Sequence, residues 1–492
     1  MFYPPVLSIM LPATARLKEY YEAWAKEPLE QIEVLPASGS ERRYIRVAGT
    51  NKRALIAYNP NPPENAAFVA YTHHFIEQGL PVPALYTPPT DDHLYLLEDL
   101  GGCTLLQQLE QQRQGNAPAP STIAYYKKSL EALAQLQVKG IEGLAVEEHQ
   151  QPSHFNRDNM LWDVNYFKYY FLKPKEVPFN EAALEQDFNR LIDYLAAVPT
   201  NTFMMRDCQA RNIMVKEEDI FFIDYQGGKY GPLQYDVASL LYQAKANLPQ
   251  ELRQELLEHY LDALSKLQTI DQEAFKASFY GFVLLRSLQV LGAYGFKGLF
   301  QGKIHFIESI PYALKNVQWL LDQQVIPVAI PHLEQALRAL IAQNQQTLPT
   351  ASATTEIQKL TITVQSFSYK RGIPVDNSGN GGGFVFDCRF IHNPGRYQPY
   401  KRLTGRDASV IDFLTSKSTI EDFIAQVKQI VSPAVDNYLE RKFSHLSINF
   451  GCTGGQHRSV YSADQIAAFL EATYPVQVVL KHREQELKDW KN

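Results

Sequence analysis

Residues 205–226 read MRDCQARNIMVKEEDIFFIDYQ and place three polar side chains in a fixed order. Asp207 and Asn212 stand at the two ends of a D-x-x-x-x-N loop, and the apolar run 221–223 leads to Asp224. Phosphoryl transfer needs a carboxylate that orients the acceptor hydroxyl and oxygen ligands that hold Mg²⁺ on the phosphates. The order therefore predicts that a loop and a neighbouring hairpin bring three such groups to one phosphate. The alternative is that Asp207 and Asn212 are loop and cap residues without chemistry.

The surrounding region, about residues 10–342, resembles the aminoglycoside phosphotransferase/choline kinase family, which has a protein-kinase-like fold. The resemblance implies an α+β two-lobed fold with ATP and Mg²⁺ as cofactors. It also implies that Asp207 is the catalytic base and that Asn212 and Asp224 are the Mg²⁺ ligands. In the later segment G-P-L-Q-Y-D, it implies that Asp236 anchors a loop.

The nucleotide-binding side departs from that family in one respect. Family members usually have a phosphate-binding Lys on the third strand, whereas residues 54–58 here read ALIAY. Arg42 or Arg43 is the candidate for the missing charge; the alternative is that both are solvated residues of an edge strand. The backbone N–H groups of a small-residue turn can approach phosphates. The predicted cofactor-binding residues are Ser38, Gly39, Ser40 and Arg43.

The motif G-S-x-R-R-Y-x-R-V at 39–47 is similar to sugar kinases of cell-wall recycling, which also tend to lack the Lys. These enzymes phosphorylate the anomeric hydroxyl of N-acetylmuramate or N-acetylglucosamine. The resemblance implies a small amino-sugar acceptor, and a pseudokinase is the alternative. Arg286 lies among apolar helix residues and is predicted to pair with a carboxylate. The segment 156–162 (NRDNMLW) falls where this superfamily builds its acceptor pocket.

A second constellation lies near the C-terminus, where residues 446–459 read LSINFGCTGGQHRS. A strand, a glycine-rich loop and a helix N-terminus form an anion site, because backbone N–H groups and the helix dipole both favour negative charge. The predicted ligand is a phosphate. Cys452 and Arg458 also have the C-x₅-R spacing of cysteine phosphatases, in which the loop activates a thiolate.

Four motifs in residues 360–486 resemble the C-terminal domain of the RapZ family, which binds glucosamine-6-phosphate and small regulatory RNA. They are S-F-x-x-K-x-G-I-P, F-D-x-R-F-x-x-N-P, L-T-G-x-D and G-C-T-G-G-x-H-R-S. The resemblance implies that Cys452 is a buried packing residue. It implies a sugar phosphate held by Thr453, Gly454, Gly455, His457 and Arg458, with Asp387 and Arg389 beside it.

RNA is a further candidate partner of this tail domain. Basic and aromatic side chains contact phosphates and stack on bases, although a solvated basic face is the more ordinary interpretation. The basic residues are Lys370, Arg371, Arg396, Lys401, Arg402, Arg406, Arg441 and Lys442, and the aromatic ones are Tyr369, Tyr397 and Tyr400.

The composition of the chain limits the class of protein to which these motifs can belong. The chain has 492 residues, 45% hydrophobic and 20% charged, and no stretch that resembles a membrane span or a signal peptide. Four scattered cysteines favour the reducing cytoplasm. The net charge of −6 divides into −10 before residue 359 and +4 from residue 359 onward. We predict an N-lobe (1–100), a helical C-lobe (101–342), a linker (343–358) and an α/β tail domain (359–492).

The function predicted from the sequence is a cytoplasmic fusion of a sugar kinase with a domain that binds a phosphorylated amino sugar. Two alternatives stay open at this point. One is a pseudokinase joined to an RNA- or protein-binding adapter that a sugar phosphate gates, and the other adds a cysteine phosphatase activity at Cys452.

Overall fold

The computed structural model describes residues 14–35, 42–89, 93–113, 115, 117–144, 153–347, 359–374, 383–441 and 443–486. The chain divides into two compact units, Met1–Phe300 with Ser309–Thr347, and Gln301–Glu308 with Leu348–Asn492. Gln301–Glu308 was predicted to belong to the C-lobe and instead groups with the second unit. None of its side chains is buried, so it adds nothing to the core of the C-lobe.

The N-terminal lobe is an antiparallel sheet with the strand order β1-β2-β3-β5-β4, packed with two helices. Ile45 and Val47 alternate with polar residues along β2 and are buried, as the two-residue period of a half-buried strand requires. They pack with Leu17 and Tyr21 of α1. The elements are α1 (Thr14–Ala25), β1 (Gln31–Val34), β2 (Arg43–Ala48), β3 (Arg53–Tyr58), α2 (Pro62–Glu77), β4 (Leu85–Thr87) and β5 (Leu94–Leu97).

Helix α2 was predicted over 64–78, and its observed span confirms a helix there. The Asn61 side chain accepts a hydrogen bond from the Glu64 backbone N–H, and proline occupies the first helical positions, which is the usual start of a helix. This cap places the carboxylate of Glu64 in the first turn of α2.

The C-lobe is mainly helical, as predicted. Its helices are α3 (Leu105–Gln112), α4 (Pro120–Lys139), α5 (Arg157–Phe167), α6 (Glu181–Ala196), α7 (Leu233–Leu241), α8 (Gln250–Ser265), α9 (Gln272–Tyr294), α11 (Ile310–Asp322) and α12 (Pro331–Thr347), and the short helix α10 (Ile304–Ile307) lies in the segment that groups with the second unit. Helix α9 packs against α5 and α7. Helix α12 continues five residues into the predicted linker, whose remaining residues 348–358 lie outside the described part.

Four short strands of the C-lobe position the loop that carries Asp207. Strand β6 (Thr202–Met204) pairs antiparallel with β9 (Lys229–Gly231), and β7 (Ile213–Lys216) pairs with β8 (Asp219–Phe222) as a hairpin. The sequence predicted the hairpin from its apolar runs. It did not reveal β6 and β9, because three residues are too few to show a strand period.

The tail unit is a fully parallel sheet with the strand order β11-β12-β10-β13 and helices between the strands. Val364, Ile448 and Phe450 form its core with apolar residues of α13, α14 and α15. The elements are β10 (Thr361–Ser368), β11 (Gly383–Asp387), α13 (Ala408–Lys417), α14 (Ile420–Glu440), β12 (His445–Cys452), α15 (Arg458–Thr473), β13 (Gln477–His482) and α16 (Arg483–Glu486).

Two boundaries in the tail differ from the sequence expectation. The apolar motif at 384–390 is a strand only as far as Asp387, because the chain turns where the Asp387 carboxylate accepts a hydrogen bond from the backbone N–H of Arg389. The helix predicted from Ala463 already begins at Arg458. Over the described ranges, every helix is too short or too polar to cross a bilayer.

Candidate active site

The predicted Asp-Asn-Asp set lies together in the C-lobe. Asn212 Nδ2 donates a hydrogen bond to the backbone carbonyl of Asp207 at 2.9 Å and lies 3.5 Å from Asp224 Oδ2. Asp207 and Asn212 lie in the loop between β6 and β7, and Asp224 follows β8 of the adjacent hairpin. A backbone hydrogen bond from Ile223 N to the carbonyl of Asn212 ties the two segments together. The loop and hairpin therefore converge as the sequence predicts.

Two residues of this site have left-handed backbone conformations. Arg206 has φ +69° and Asp224 has φ +66°. Such angles cost energy for a residue other than glycine and persist only where the surroundings fix them. The surrounding structure therefore fixes the backbone at Arg206, next to Asp207, and at Asp224.

Asp236 of α7 anchors the loop that carries Asp207 on its buried side. The backbone N–H of Met205 donates to Asp236 Oδ2 at 2.6 Å, which is the anchoring contact expected from the sequence. Complete burial raises the pKa of the Asp236 carboxyl to about 7, although the hydrogen bond from Met205 opposes this rise. Asp236 is therefore part of the support of the loop and is inaccessible to a substrate.

The carboxylate of Asp207 pairs with Arg286 of α9. Arg286 Nη2 lies 2.7 Å from Asp207 Oδ1, and the Arg286 side chain is 5% exposed, whereas that of Asp207 is 46% exposed. Arg286 Nε donates to Ser239 Oγ at 3.1 Å, and Arg286 Nη1 donates to Gln289 Oε1 at 2.7 Å. Burial acts to raise the pKa of Asp207, but the Arg286 guanidinium outweighs it and holds that pKa below its usual range. Asp207 is therefore ionised and fixed in orientation.

Arg286 is a functional residue that sequence reasoning missed. The sequence predicted that it pairs with a carboxylate, which is correct, but it did not identify that carboxylate as Asp207. The available signal was a charged side chain within an otherwise apolar helix, and such a charge needs a partner.

A second ion pair lies beside Asp207. Arg206 Nη2 is 2.7 Å from Asp163 Oδ1 of α5, and the guanidinium of Arg206 lies over the Phe155 ring at 5.1 Å. Asp163 Oδ2 and Arg206 Nη1 are buried and have no hydrogen-bond partner among the described residues. On the same helix, Trp162 is 66% exposed. Trp162 belongs to the segment 156–162 that the sequence assigns to the acceptor pocket, and Asp163 directly follows that segment.

On the nucleotide-binding side, Ser38, Gly39 and Ser40 lie outside the described residues. Arg43, the predicted cofactor-binding residue, is on β2 opposite Tyr58, and its Nη1 donates to the carbonyl of Arg42 at 3.2 Å. Arg42 itself is buried and pairs with Glu64. The two arginines are therefore in different environments.

The residues present fit the predicted metal and nucleotide. Asp224 is exposed, and Asn212 Nδ2 lies 3.5 Å from Asp224 Oδ2, so a carboxylate and an amide side chain are adjacent here. Mg²⁺ in nucleotide sites is commonly held by one or two such oxygen ligands, with phosphates and water completing the octahedron. Asn212 and Asp224 are the residues that would hold it.

In the tail unit, the predicted sugar-phosphate residues lie at the carboxyl end of the parallel strands. Strands β10, β11 and β12 end at neighbouring positions there, and α15 begins one short loop later. Crevices at this edge of a parallel sheet are the usual ligand sites of α/β folds. Thr453 and Gly454 are exposed at the loop, and the Thr453 carbonyl accepts a hydrogen bond from Ser368 Oγ at 2.7 Å.

The remaining predicted residues of the loop are buried. Arg458 Nη1 donates to the carbonyls of Arg389 and Ile391 at 2.9 and 2.8 Å. His457 Nε2 lies 2.9 Å from the carbonyl of Tyr400, and burial lowers the His457 pKa, so its ring is neutral. These two side chains brace the segments that surround the loop.

Asp387 and Arg389 form a pair next to this loop. Arg389 Nη2 lies 2.7 Å from Asp387 Oδ2, and the Arg389 guanidinium lies 4.0 Å from the centre of the Tyr369 ring. Hydrogen bonds from Arg389 lower the pKa of Asp387. Both side chains are about half exposed, so the structure presents Arg389 at the same edge as Thr453 and Gly454.

Cys452 belongs to the core of the tail unit. It is 3% exposed, and its Sγ lies 3.1 Å from Ser459 Oγ. Burial acts to raise the pKa of the Cys452 thiol, but the contacts with Ser459 and the backbone N–H groups outweigh it and hold that pKa below its usual value. A phosphatase nucleophile must reach its phosphate and needs the arginine free beside it. Buried Cys452 and engaged Arg458 do not meet these needs, and Cys452 is the packing residue that the resemblance implies.

Some of the predicted basic surface is neutralised. Arg371 pairs with Glu484 at 3.2 Å and Arg406 with Asp464 at 2.8 Å. Lys442 lies outside the described residues. These ion pairs weaken the case for a continuous RNA-binding face.

The first unit has the architecture of a kinase-like phosphotransferase, and the second is a parallel α/β domain. Residues 31–275 match the model of the phosphotransferase enzyme family, and residues 360–486 match that of the RapZ C-terminal domain. The chain therefore combines a domain of the phosphotransferase enzyme family with a RapZ C-terminal domain, and the fold class predicted from the sequence is confirmed.

Curated relatives match only part of the chain. A nucleotide-binding protein of Cereibacter sphaeroides is 43% identical over 129 residues, which are 26% of this chain and 40% of that protein. A nucleotide-binding protein of Pseudoalteromonas translucida is 35% identical over 182 residues, which are 37% of this chain and 62% of that protein. The chain thus spans about two fifths of the length of the first of these relatives.

Solved structures with a similar fold include three kinases. A choline/ethanolamine kinase family protein from Mesorhizobium loti has a TM-score of 0.43 and 13% identity, covering 67% of this chain and 99% of its own. Choline kinase from Cryptosporidium parvum has a TM-score of 0.42 and 13% identity, covering 62% and 92%. A spectinomycin phosphotransferase with bound ADP and spectinomycin has a TM-score of 0.42 and 12% identity, covering 61% and 93%.

Proposed function

We propose that the first domain is an ATP- and Mg²⁺-dependent kinase that phosphorylates a small hydroxyl acceptor. The observation that carries this proposal is the convergence of Asp207, Asn212 and Asp224, with Asp207 held as an anion by Arg286. A half-exposed carboxylate that a buried arginine keeps ionised, in the same loop as Asn212, suits the hydroxyl-orienting role in phosphoryl transfer.

Each residue has a distinct task in the proposed reaction. Asp207 accepts a hydrogen bond from the acceptor hydroxyl and directs its oxygen toward the phosphorus atom, and Arg286 keeps the carboxylate in that orientation. Asn212 and Asp224 would hold the metal, which neutralises charge on the phosphates when bound. Little covalent chemistry is required of the protein, so positioning supplies most of the catalysis.

The acceptor that we propose is an amino sugar of cell-wall recycling, phosphorylated at its anomeric hydroxyl. The motif at residues 39–47 supports this acceptor class. The exposed ring of Trp162 and the polar atoms of Asp163 and Arg206 near Asp207 suit a polyhydroxylated ring. We further propose that the tail domain binds a phosphorylated amino sugar at Thr453, Gly454 and the neighbouring Arg389 and Asp387.

The absence of Lys from β3 favours one alternative function. Strand β3 reads RALIAY, and without a strand Lys the domain is a candidate pseudokinase that works as an adapter gated by a sugar phosphate. The two functions differ in whether a sugar phosphate is formed.

The deciding experiment uses the full-length protein with MgATP and N-acetylmuramate, N-acetylglucosamine or glucosamine, followed by ³¹P NMR. We expect a new sugar-phosphate resonance whose proton coupling identifies C1 as the modified position. Asp207→Asn is expected to lower turnover by about 10²–10⁴-fold, the usual loss on removing a general base, and to leave MgATP affinity unchanged.

Asp219→Asn is the matched control, because Asp219 is an exposed carboxylate on the same hairpin and should be neutral. If MgATP binds but no sugar is phosphorylated, the kinase proposal is wrong and the adapter takes its place. If turnover survives in Asp207→Asn, the role proposed for Asp207 is wrong.

A further inference from the structure

The structure contains a buried positively charged side chain, Arg42, close to the candidate metal site. The reaction proposed above gives this side chain no role. Arg42, directly before β2, is 4% exposed. Its Nη2 lies 2.7 Å from Glu64 Oε1, in the first turn of α2. Its Nη1 is 3.4 Å from the hydroxyl of Tyr44, and its guanidinium lies 5.5 Å from the centre of the Phe68 ring.

This ion pair is connected to the metal-binding carboxylate through one side chain. Gln226 Nε2 donates to Glu64 Oε1 at 3.2 Å and to Asp224 Oδ1 at 2.9 Å. A hydrogen-bonded chain thus runs from Arg42 through Glu64 and Gln226 to Asp224. It joins the N-lobe helix to the segment after β8 and places the positive charge near the predicted position of the nucleotide phosphates.

One nitrogen of this guanidinium has no protein partner. Arg42 Nε is buried without a hydrogen-bond partner among the described residues. An unpaired donor in a buried guanidinium is costly, because the group has left water without a replacement contact. A planar guanidinium can bind a carboxylate with one edge while another edge donates to a phosphate.

Arg43, which the sequence favours for this role, has a different position. It is only half-buried, it lies on β2 opposite Tyr58, and its Nη1 donates to the backbone carbonyl of Arg42. The geometry therefore distinguishes the two arginines.

We propose that Arg42, held by Glu64, supplies the positive charge that faces the nucleotide phosphates, in place of a lysine on β3. This inference rests on the proposed kinase function and adds the residue that binds the triphosphate. Glu64 and Gln226 are positioning residues, because they set the distance between Arg42 and Asp224.

Nucleotide binding tests this assignment without a sugar acceptor. Isothermal titration of the full-length protein with MgATP and with adenosine compares the wild type, Arg42→Ala and Arg43→Ala. We expect Arg42→Ala to weaken MgATP binding by roughly tenfold or more, since charge-assisted contacts are worth about 1.5–3 kcal/mol. Adenosine has no phosphate, so its affinity should not change. Arg43→Ala should stay within about twofold of the wild type for both ligands.

Two further variants allow the test to be completed even if Arg42→Ala does not fold. Arg42→Lys keeps the charge but lacks the planar fork, so it should bind MgATP with intermediate affinity. Glu64→Gln leaves Arg42 in place without its anchor and should also weaken MgATP binding but not adenosine binding. If Arg42→Ala fails to fold, as judged by circular dichroism, these two variants decide the question.

The outcomes separate this inference from the proposed function. If Arg42→Ala binds MgATP as tightly as the wild type does, Arg42 is a structural residue and the inference is overturned. If Arg42→Ala does not fold, wild-type affinity in both Arg42→Lys and Glu64→Gln leads to the same conclusion. If Arg43→Ala shows the loss, the charge belongs to Arg43. If the wild type does not bind MgATP, the kinase proposal itself is wrong.

Discussion

Arg286 shows how one buried residue sets the chemical state of another. Its guanidinium donates to Ser239, Gln289 and Asp207, so it cannot turn away from the loop. The charge of a buried arginine persists because its pKa is too high for deprotonation in a protein. Asp207 is consequently an oriented anion before any substrate binds, which is the preorganisation that positioning catalysis needs.

At the residue scale, we predict that Arg286→Gln lowers turnover of the proposed kinase by about 10²-fold. The neutral amide cannot fix the Asp207 carboxylate, whereas the metal and nucleotide contacts remain. MgATP affinity measured by titration should therefore be unchanged, and kcat should fall. Ser239→Ala is the matched control, since it removes only the contact to Arg286 Nε and should reduce turnover by less than about threefold. Equal losses in both variants would contradict the role given to Asp207 orientation.

At the scale of elements, the loop between β12 and α15 contains two adjacent glycines, Gly454 and Gly455, that have different structural roles. Gly455 has φ +65°, and a Cβ there would lie against Glu484 and within 3.0 Å of the backbone nitrogen of Ser368. Gly454 has no such constraint, because a Cβ there would meet no atom of the described residues within 4 Å. One glycine thus permits the loop to form, and the other leaves its outer side open to a ligand.

We predict that Gly455→Ala destabilises the tail domain by about 1–3 kcal/mol, because it combines a left-handed backbone with overpacking. Gly454→Ala should change stability by less than about 0.5 kcal/mol and should weaken binding of glucosamine-6-phosphate, since a methyl group enters the open side of the loop. Chemical unfolding and titration calorimetry measure the two effects. A stable Gly454→Ala variant with unchanged affinity would exclude this loop from the ligand site.

At the scale of the whole molecule, two domains of different charge are joined in one chain. The part before residue 359 has a net charge of −10 and the tail +4. Covalent fusion favours a functional link, in which the tail domain senses the product of the kinase. Such a link is a coupling free energy between two sites and must be reciprocal.

We predict two transitions in calorimetric unfolding of the full chain. MgATP should raise the melting temperature of the first domain and glucosamine-6-phosphate that of the second, because each ligand stabilises the state that binds it by about 2.7 kcal/mol at 100 times its Kd. If the tail domain regulates the kinase, each ligand also changes the Kd of the other by the same factor. Unequal factors would show that the two binding measurements do not report one coupled equilibrium.

Much of the fold could be predicted from local sequence. Strands were predicted within residues 32–47 and over 53–58 around a small-residue turn, which agrees with β1, β2 and β3. The Asn61 cap and following prolines agree with the start of α2, and the run before Asp224 predicted the hairpin of β7 and β8. These features depend on residues close together in the chain. The strands β6 and β9 could not be predicted in this way, because each has three residues and exists through pairing with a distant segment.

The candidate site likewise has features that the sequence predicts and features that only the tertiary structure shows. The order of Asp207, Asn212 and Asp224, and the glycine-rich loop before α15, were determined by the sequence, since a short loop brings near neighbours together whatever surrounds it. Only the tertiary structure decided that Arg286, 79 residues away, meets Asp207. It also decided that Arg42, not Arg43, meets Glu64, and that His457 and Arg458 turn inward. The physical reason is that a buried charge takes whichever partner the packing of distant elements provides, and residue order alone does not specify that partner.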